Sequence, residues 1–283
     1  MSAPIRHVSD TALWVAMYRA FETERPDAIF KDPFARRLAG ERGERIVETI
    51  PRAKTMAWPM IVRTAVMDEI ILRQIARGAT TVINLAAGLD ARAYRLPLPP
   101  HLRWFDVDLP DMAAYRQEQF ADATPACVHE HVAADLVNPA TLPGVFERAS
   151  GSGPAMVITE GLLVYLTEAQ VASLARAAHG QTEVRWWLSD LATPALLEML
   201  KKSWHPSLAG ANAPMQFAPA DSRAFFEPLG WRESEFRSTW TESLRLKRSV
   251  PLAGLWNALS RLAPKKRRAA QHRMSGMVLF ERM

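Results

Sequence analysis

A short apolar run, Val82-Ile83-Asn84-Leu85, opens into Ala86-Ala87-Gly88-Leu89-Asp90, and Asp108 follows Gly88 by twenty residues, at the end of Trp104-Phe105-Asp106-Val107. A strand, a glycine turn, a helix start and an acid closing the next strand form a nucleoside-binding arrangement. The glycine lets the backbone approach a ligand, and the acid accepts hydrogen bonds from ribose hydroxyls. Nicotinamide enzymes share this pattern, so a nicotinamide-dependent oxidoreductase stays open on these residues alone. Asp90 helps to decide. A dinucleotide's pyrophosphate rests on a helix N-terminus, where backbone N–H groups favour an anion, and a carboxylate there repels it. A phosphate-free ligand carrying an ammonium and a sulfonium tolerates that acid. S-adenosylmethionine is such a ligand.

These residues need elements to hold them. The first eighty residues read as helical: Ile61, Val62, Ala65, Val66, Ile70 and Ile75 recur at helical spacing, and Gly78 sits where a left-handed cap belongs. Pro26, Pro33, Pro51 and Pro59 divide the preceding segment into short helices and loops. Strand candidates then fall at 82–85, 104–108, 128–134, 156–159 and 184–188, separated by helical stretches. Thr167 and Gln170 form a capping box for a helix running to His179, with Gly180 closing it. Residues 193–219, with four prolines, read as an irregular insertion over the sheet edge. Asp221 caps a short helix ending near Gly230, and late strands are expected at 244–250 and 277–281. The fold class is therefore α/β, an open and mainly parallel sheet. Residues 1–78 form a helical cap, 79–283 the α/β domain, and 193–219 a substrate-side insertion.

Composition narrows the setting. The chain has 283 residues, 48% hydrophobic and 23% charged, a globular balance that excludes a wholly disordered chain. No apolar stretch reaches the roughly 18 residues of a membrane helix, and no secretory h-region is visible, so a cytoplasmic protein with no membrane partner is expected. Cys127 is the only cysteine, which excludes a disulfide framework and a cysteine-based zinc cluster; no metal is expected. Residues 261–273 carry six Lys or Arg and no acid. Such a run marks either a solvated helix start after Pro264 or a surface for an acidic partner. Aromatic interleaving is absent, so nucleic acid is not the expected partner.

Five strings then occur in order: Arg63-Thr64; residues 84–96, from Asn84 through Asp90 to Leu96; Asp106-Val107-Asp108-Leu109-Pro110; Asp135-Leu136; and Glu160-Gly161-Leu162-Leu163-Val164-Tyr165-Leu166. Together they resemble the leucine carboxyl methyltransferase family, including its bacterial branch of S-adenosylmethionine-dependent O-methyltransferases. Tyr18-Arg19-Ala20-Phe21-Glu22 and Asp32-Pro33-Phe34-Ala35 look like that branch too. The resemblance is close over roughly residues 10–170 and loose beyond. It implies a class I methyltransferase (Rossmann-like) fold with S-adenosyl-L-methionine as cofactor. By the same resemblance Arg63 would grip the cofactor's carboxylate, a task suited to a guanidinium fork. Gly88 would line the methionine portion, Asp108 hold the ribose, Asp135 accept from the adenine amino group and Leu136 offer its backbone N–H. Glu160 would lie near the ammonium. Where the family pattern begins its turn with glycine, this chain has Ala86, whose extra methyl bears on tight turning.

Plainer roles exist for several of these residues. Asp108 could cap the helix after Pro110, Glu160 could be an ion-paired core acid, and Arg63 could snorkel to water. Arg19 reads as a surface charge, and His179 as a cap facing the helix dipole. Most of the nine tryptophans read as core, while Trp58 and Trp204 could line a substrate pocket. Tyr165 and His205 are the weak candidates for catalysis. A carboxylate acceptor, already ionised at pH 7, needs no general base, whereas a phenol with a pKa near 10 does. No histidine lies within the strings above, which favours a carboxylate of a small molecule. His205 keeps a phenol or alcohol acceptor open. A non-catalytic binding module is the remaining alternative, with Ala86 as a sign of decay.

Overall fold

The computed structural model describes residues 9–50, 53–151, 153–208, 214–260 and 264–283. The chain forms two compact units, one of residues 1–67, 191–213 and 236–277, the other of 68–190, 214–235 and 278–283.

The sheet contains β1 (Thr81–Leu85), β2 (Arg103–Asp108), β3 (Val128–Ala133), β4 (Ala155–Thr159), β5 (Val184–Ala192), β6 (Trp231–Ser238) and β7 (Ser275–Arg282), in the order β3-β2-β1-β4-β5-β7-β6. The pairings β3–β2, β2–β1, β1–β4 and β4–β5 are parallel. β1 and β4 are buried at every position, as strands covered on both faces must be. β3, at the edge, mixes exposed and half-buried positions. Strand order reverses between β1 and β4, which opens a crevice beyond their carboxyl ends.

All five strands expected up to residue 188 are present, with β5 running on to Ala192. β6 was hidden by its charges, which are absorbed by partners: Arg223 donates to Glu233 at 3.1 Å and Arg73 pairs with Glu235. No strand forms at 244–250: the helix Thr239–Arg245 takes its first two residues and a turn follows. There Glu242 accepts from Arg237, at the end of β6, at 2.6 Å and from Arg245 one turn on, the second a contact that helical spacing supplies. The supposedly irregular insertion contains a helix, Pro194–Leu208. Proline in a first helical turn loses no hydrogen bond, and the Thr193 hydroxyl accepts Leu196 N–H at 3.4 Å. The capping box of Thr167 and Gln170 is formed, but its helix, Glu168–Gly180, passes through Gly180 and ends at Gln181. Gly230 does what Gly180 was expected to do. Its φ is +88°, and a Cβ there would lie 2.4 Å from the His179 ring, which packs edge-on against Trp231 and is no simple cap.

In the first unit, Arg19 is not a surface charge. It is buried, with Nε 2.8 Å from Asp32. Glu22, fully buried, accepts from Arg248 at 2.9 Å and from Ile29 N–H at 2.7 Å. Two of the N-terminal strings therefore supply the buried ion pairs that fold this unit. Trp58 packs edge-on against Trp240, while Trp187, in the second unit, is core and donates to Thr159 Oγ1 at 2.8 Å.

Candidate active site

The turn after β1 is held from both sides. Gly88 N–H donates to Asp108 Oδ2 at 2.7 Å, Leu109 N–H donates to Asp108 Oδ1 at 2.8 Å, and Arg116 Nη1 donates to the Gly88 carbonyl at 2.7 Å. Burial pushes the Asp108 carboxyl above the usual carboxylate range, against the two backbone donors that favour its ionised form. Each oxygen accepts one of these backbone bonds, and a carboxylate oxygen has capacity for a second. Two vicinal ribose hydroxyls are what such a pair of acceptors fits.

Gly88 has φ +52° and Ala86 φ +51°. Glycine enters this left-handed region freely, whereas an L-residue with a Cβ pays about 1–2 kcal/mol. Ala86→Gly should therefore raise stability by about 1 kcal/mol once glycine's greater unfolded-state entropy is offset. Thermal unfolding would read this as a Tm higher by roughly 2–4 °C, and an unchanged or lower Tm would show the turn to be unstrained.

Beneath the turn lies a connected set of charges. Arg92, in the four-residue helix Arg92–Arg95, is fully buried. Its Nε lies 2.6 Å from Asp68, and its Nη1 lies 2.7 Å from both Asp90 and Glu160. Arg95 adds a second guanidinium on Asp68 at 2.7 Å. Burial opposes the charge on Arg92, but the three carboxylates outweigh it and hold its pKa well above the ordinary value. Asp90 also accepts Arg92 N–H at 2.8 Å and Asn84 Nδ2 at 3.1 Å. The helix after Asp90 is a single turn, Arg92–Arg95, and the Asp90 carboxylate is turned onto Arg92. Glu160 is ion-paired, the plainer of the roles its apolar run allowed. The repulsion of a phosphate survives as a property of the cluster: three carboxylates gather around Arg92, an acid-rich setting that complements an ammonium.

Asn84 links this cluster to a second hub. It donates to Asp106 at 2.8 Å, because β1 and β2 pair with Asn84 opposite Asp106. Asp106, also buried, takes bonds from Trp104 Nε1 and His129 Nε2 at 2.8 Å each and from Arg116. Burial alone would raise its carboxyl, but Arg116 and His129 outweigh that and hold it well below the usual range. Ligating atoms of Asp106, His129 and His131 lie within 4.8 Å of one another. Asp106 is already committed to four donors, and a dication there would face the Arg116 guanidinium. Burial, Arg116 and His129 push His131 down to about 4. This trio supports the sheet and the turn.

The remaining site residues fall at neighbouring strand ends. Gly161, after Glu160, has φ +65° and donates N–H to Asp190 Oδ1, near the end of β5, at 2.6 Å. Asp135 is exposed in the loop after β3 and accepts Val137 N–H at 3.0 Å, with Leu136 half-buried beside it. Tyr165 is half-buried in a single turn whose carbonyl accepts Gln216 Nε2 at 3.0 Å. Ala86, Gly88, Asp108, Asp135, Leu136 and Glu160 thus all sit in the second unit, at the carboxyl ends of β1 to β4. Arg63 belongs to the first unit, on the helix Trp58–Ala76. The side chains of His205 and Trp204 lie outside the described residues.

An open parallel sheet reversing at β1 and β4, with a left-handed glycine turn and a ribose-type acid beside it, defines a class I methyltransferase fold. Comparison with known proteins agrees. The leucine carboxyl methyltransferase profile matches residues 12–179. A candidate S-adenosyl-L-methionine-dependent methyltransferase of Parafrankia is 32% identical over 264 residues, covering 86% of this chain and 83% of that one. Another, of Mycobacteroides abscessus, is 38% identical over 178 residues, which are 58% of this chain and 57% of its own length. A crystal structure of a candidate methyltransferase from Thermobifida fusca superposes with a TM-score of 0.59 at 14% identity, covering 99% of this chain and 96% of that one, which shows the shared fold. The chain belongs to the leucine carboxyl methyltransferase family, and it is an S-adenosyl-L-methionine-dependent methyltransferase.

Proposed function

We propose that the protein methylates a carboxylate oxygen of a small molecule. The observation that carries this reading is the chemistry of the strand ends. Among the described residues there, Asp108, Asp135 and Glu160 are acids fitted to hold a cofactor, and no histidine joins them. His129 and His131 are directed into the Asp106 hub. An ionised carboxylate needs no base. Bound there, the cofactor supplies an activated methyl on a positively charged sulfur that departs as a neutral thioether. In this reading Asp108 holds the ribose, Asp135 and the Leu136 N–H the adenine, Gly88 lines the methionine portion, Glu160 faces the ammonium and Arg63 binds the cofactor's carboxylate. The fold's remaining task is alignment and electrostatic support.

The test uses S-adenosylmethionine labelled in its methyl group and panels of small carboxylic acids, phenols and alcohols. A labelled product that releases methanol in mild alkali is a methyl ester and supports the proposal. Its rate should stay nearly flat between about pH 6 and pH 8, since the nucleophile is ionised throughout. An alkali-stable ether would overturn the carboxylate assignment. So would a rate that falls as pH drops through about 6.5 together with a roughly 10²- to 10⁴-fold loss in His205→Ala, the signature of a histidine base.

A further inference from the structure

The helix Ala253–Ser260, in the first unit, lies open to solvent along much of its apolar length. Leu252, Leu255, Trp256 and Leu259 are 70, 57, 61 and 51% exposed. Leu255, Trp256 and Leu259 share one helix face by their spacing, and Leu252 immediately precedes the helix. The helix is seated through buried Ala253 and through Asn257, which accepts from Trp240 at 3.4 Å. Three large apolar side chains on one exposed helix face, with a fourth at its entrance, are more than the scattered singles of an ordinary surface. Five residues after this helix a second one begins, Lys265–His272 in the same unit, with Lys265, Arg267, Arg268 and His272 exposed. From residue 243 to 280 the sequence contains no Asp or Glu and nine Lys or Arg.

We propose that this segment docks the enzyme on an anionic lipid surface. A helix offering leucine and tryptophan, followed by a basic stretch, has the two components of interfacial binding: apolar side chains that enter the headgroup boundary, and cations drawn to anionic headgroups. Charge decides between occupants. A second copy of the chain, packed through the same patch, would bring its own basic segment to the interface, and like charges would meet. An anionic bilayer complements both parts at once. The expectation of no membrane partner rested on the lack of an apolar span, and no described helix is long and apolar enough to cross a membrane. Lying on a surface requires no span. The proposal is independent of the acceptor's identity.

The full chain should co-sediment with vesicles of mixed phosphatidylcholine and phosphatidylglycerol, and not with vesicles of phosphatidylcholine alone. High salt should weaken the binding. Lys265→Glu and Arg267→Glu should each lower it at least about fivefold, and Trp256→Ala or Leu255→Glu about tenfold or more. Both apolar positions are exposed, so the variants should keep the parent's Tm and its affinity for S-adenosylhomocysteine, which separates loss of docking from loss of fold. Absence of binding to the mixed vesicles would overturn the proposal, as would binding that none of these substitutions reduces. A dimer in sedimentation equilibrium that Trp256→Ala dissociates would also overturn it, by assigning the face to a second copy.

Discussion

Arg92→Met is expected to lower stability by about 3–5 kcal/mol, the range for removing one partner of a buried ion pair. At roughly 2–4 °C per kcal/mol, the Tm drop is large and easily measured. The size follows from what the guanidinium does. It is fully buried and meets Asp68, Asp90 and Glu160 at 2.6–2.7 Å. Without it, Asp68, Asp90 and Glu160 lose the guanidinium they share. Methionine fills much of the volume, so packing loss is the smaller part. The pH dependence separates charge from packing. Crowded like charges raise the carboxyl pKa values of the folded variant above their unfolded values, so its folding takes up protons. The deficit against the parent should therefore shrink as pH falls from about 8 to about 5. A deficit equal at both ends would assign the loss to packing. Arg92→Lys should recover only part of the loss, because an ammonium on a flexible stem cannot reproduce the fork that serves three acids.

The same cluster shows where the sequence stops being legible. Gly88 and Asp108 are visible because each belongs to a short string with a mechanism of its own. The central strands are visible because burial on both faces demands continuous apolar runs. Arg92 lies inside a quoted string, yet nothing near it reveals that it is buried, since one of its partners, Asp68, sits 24 residues upstream on another helix. Asn84 and Asp106 interrupt apolar runs and so required partners, but only the parallel register shows that each satisfies the other. Arg116 belongs to no string that points to a role, yet it is buried and donates to the Gly88 carbonyl. β6 is illegible for a related reason: its sequence is rich in charges, and the ion pairs that accommodate them come from elsewhere in the chain. Charged residues are ambiguous in sequence because their burial depends on partners brought from a distance.

Asp108→Asn is expected to weaken binding of S-adenosylmethionine and S-adenosylhomocysteine by about tenfold to over a hundredfold, the loss of a charge-assisted hydrogen bond of roughly 1.5–3 kcal/mol. Asparagine is nearly isosteric, but both Asp108 oxygens already accept backbone N–H groups, from Gly88 and from Leu109. An amide must turn its NH₂ toward one of them, donor against donor. Either the turn at Gly88 opens or the Leu109 bond breaks, and the acceptor left for ribose is uncharged. Asp108→Ala removes the acceptor without that conflict, so it should cost affinity with less disturbance of the turn. The parent's own titration supplies a second readout. Burial raises the Asp108 carboxyl, and only its ionised form can accept from both ribose hydroxyls. Affinity should then decline with falling pH while the medium is still above the ordinary carboxylate range. In Asp108→Asn that component of the pH dependence should vanish, because no proton binds there. Calorimetric titration with S-adenosylhomocysteine across the acid range measures both effects. An asparagine variant with the parent's affinity and the parent's pH profile would show that the ribose is held elsewhere.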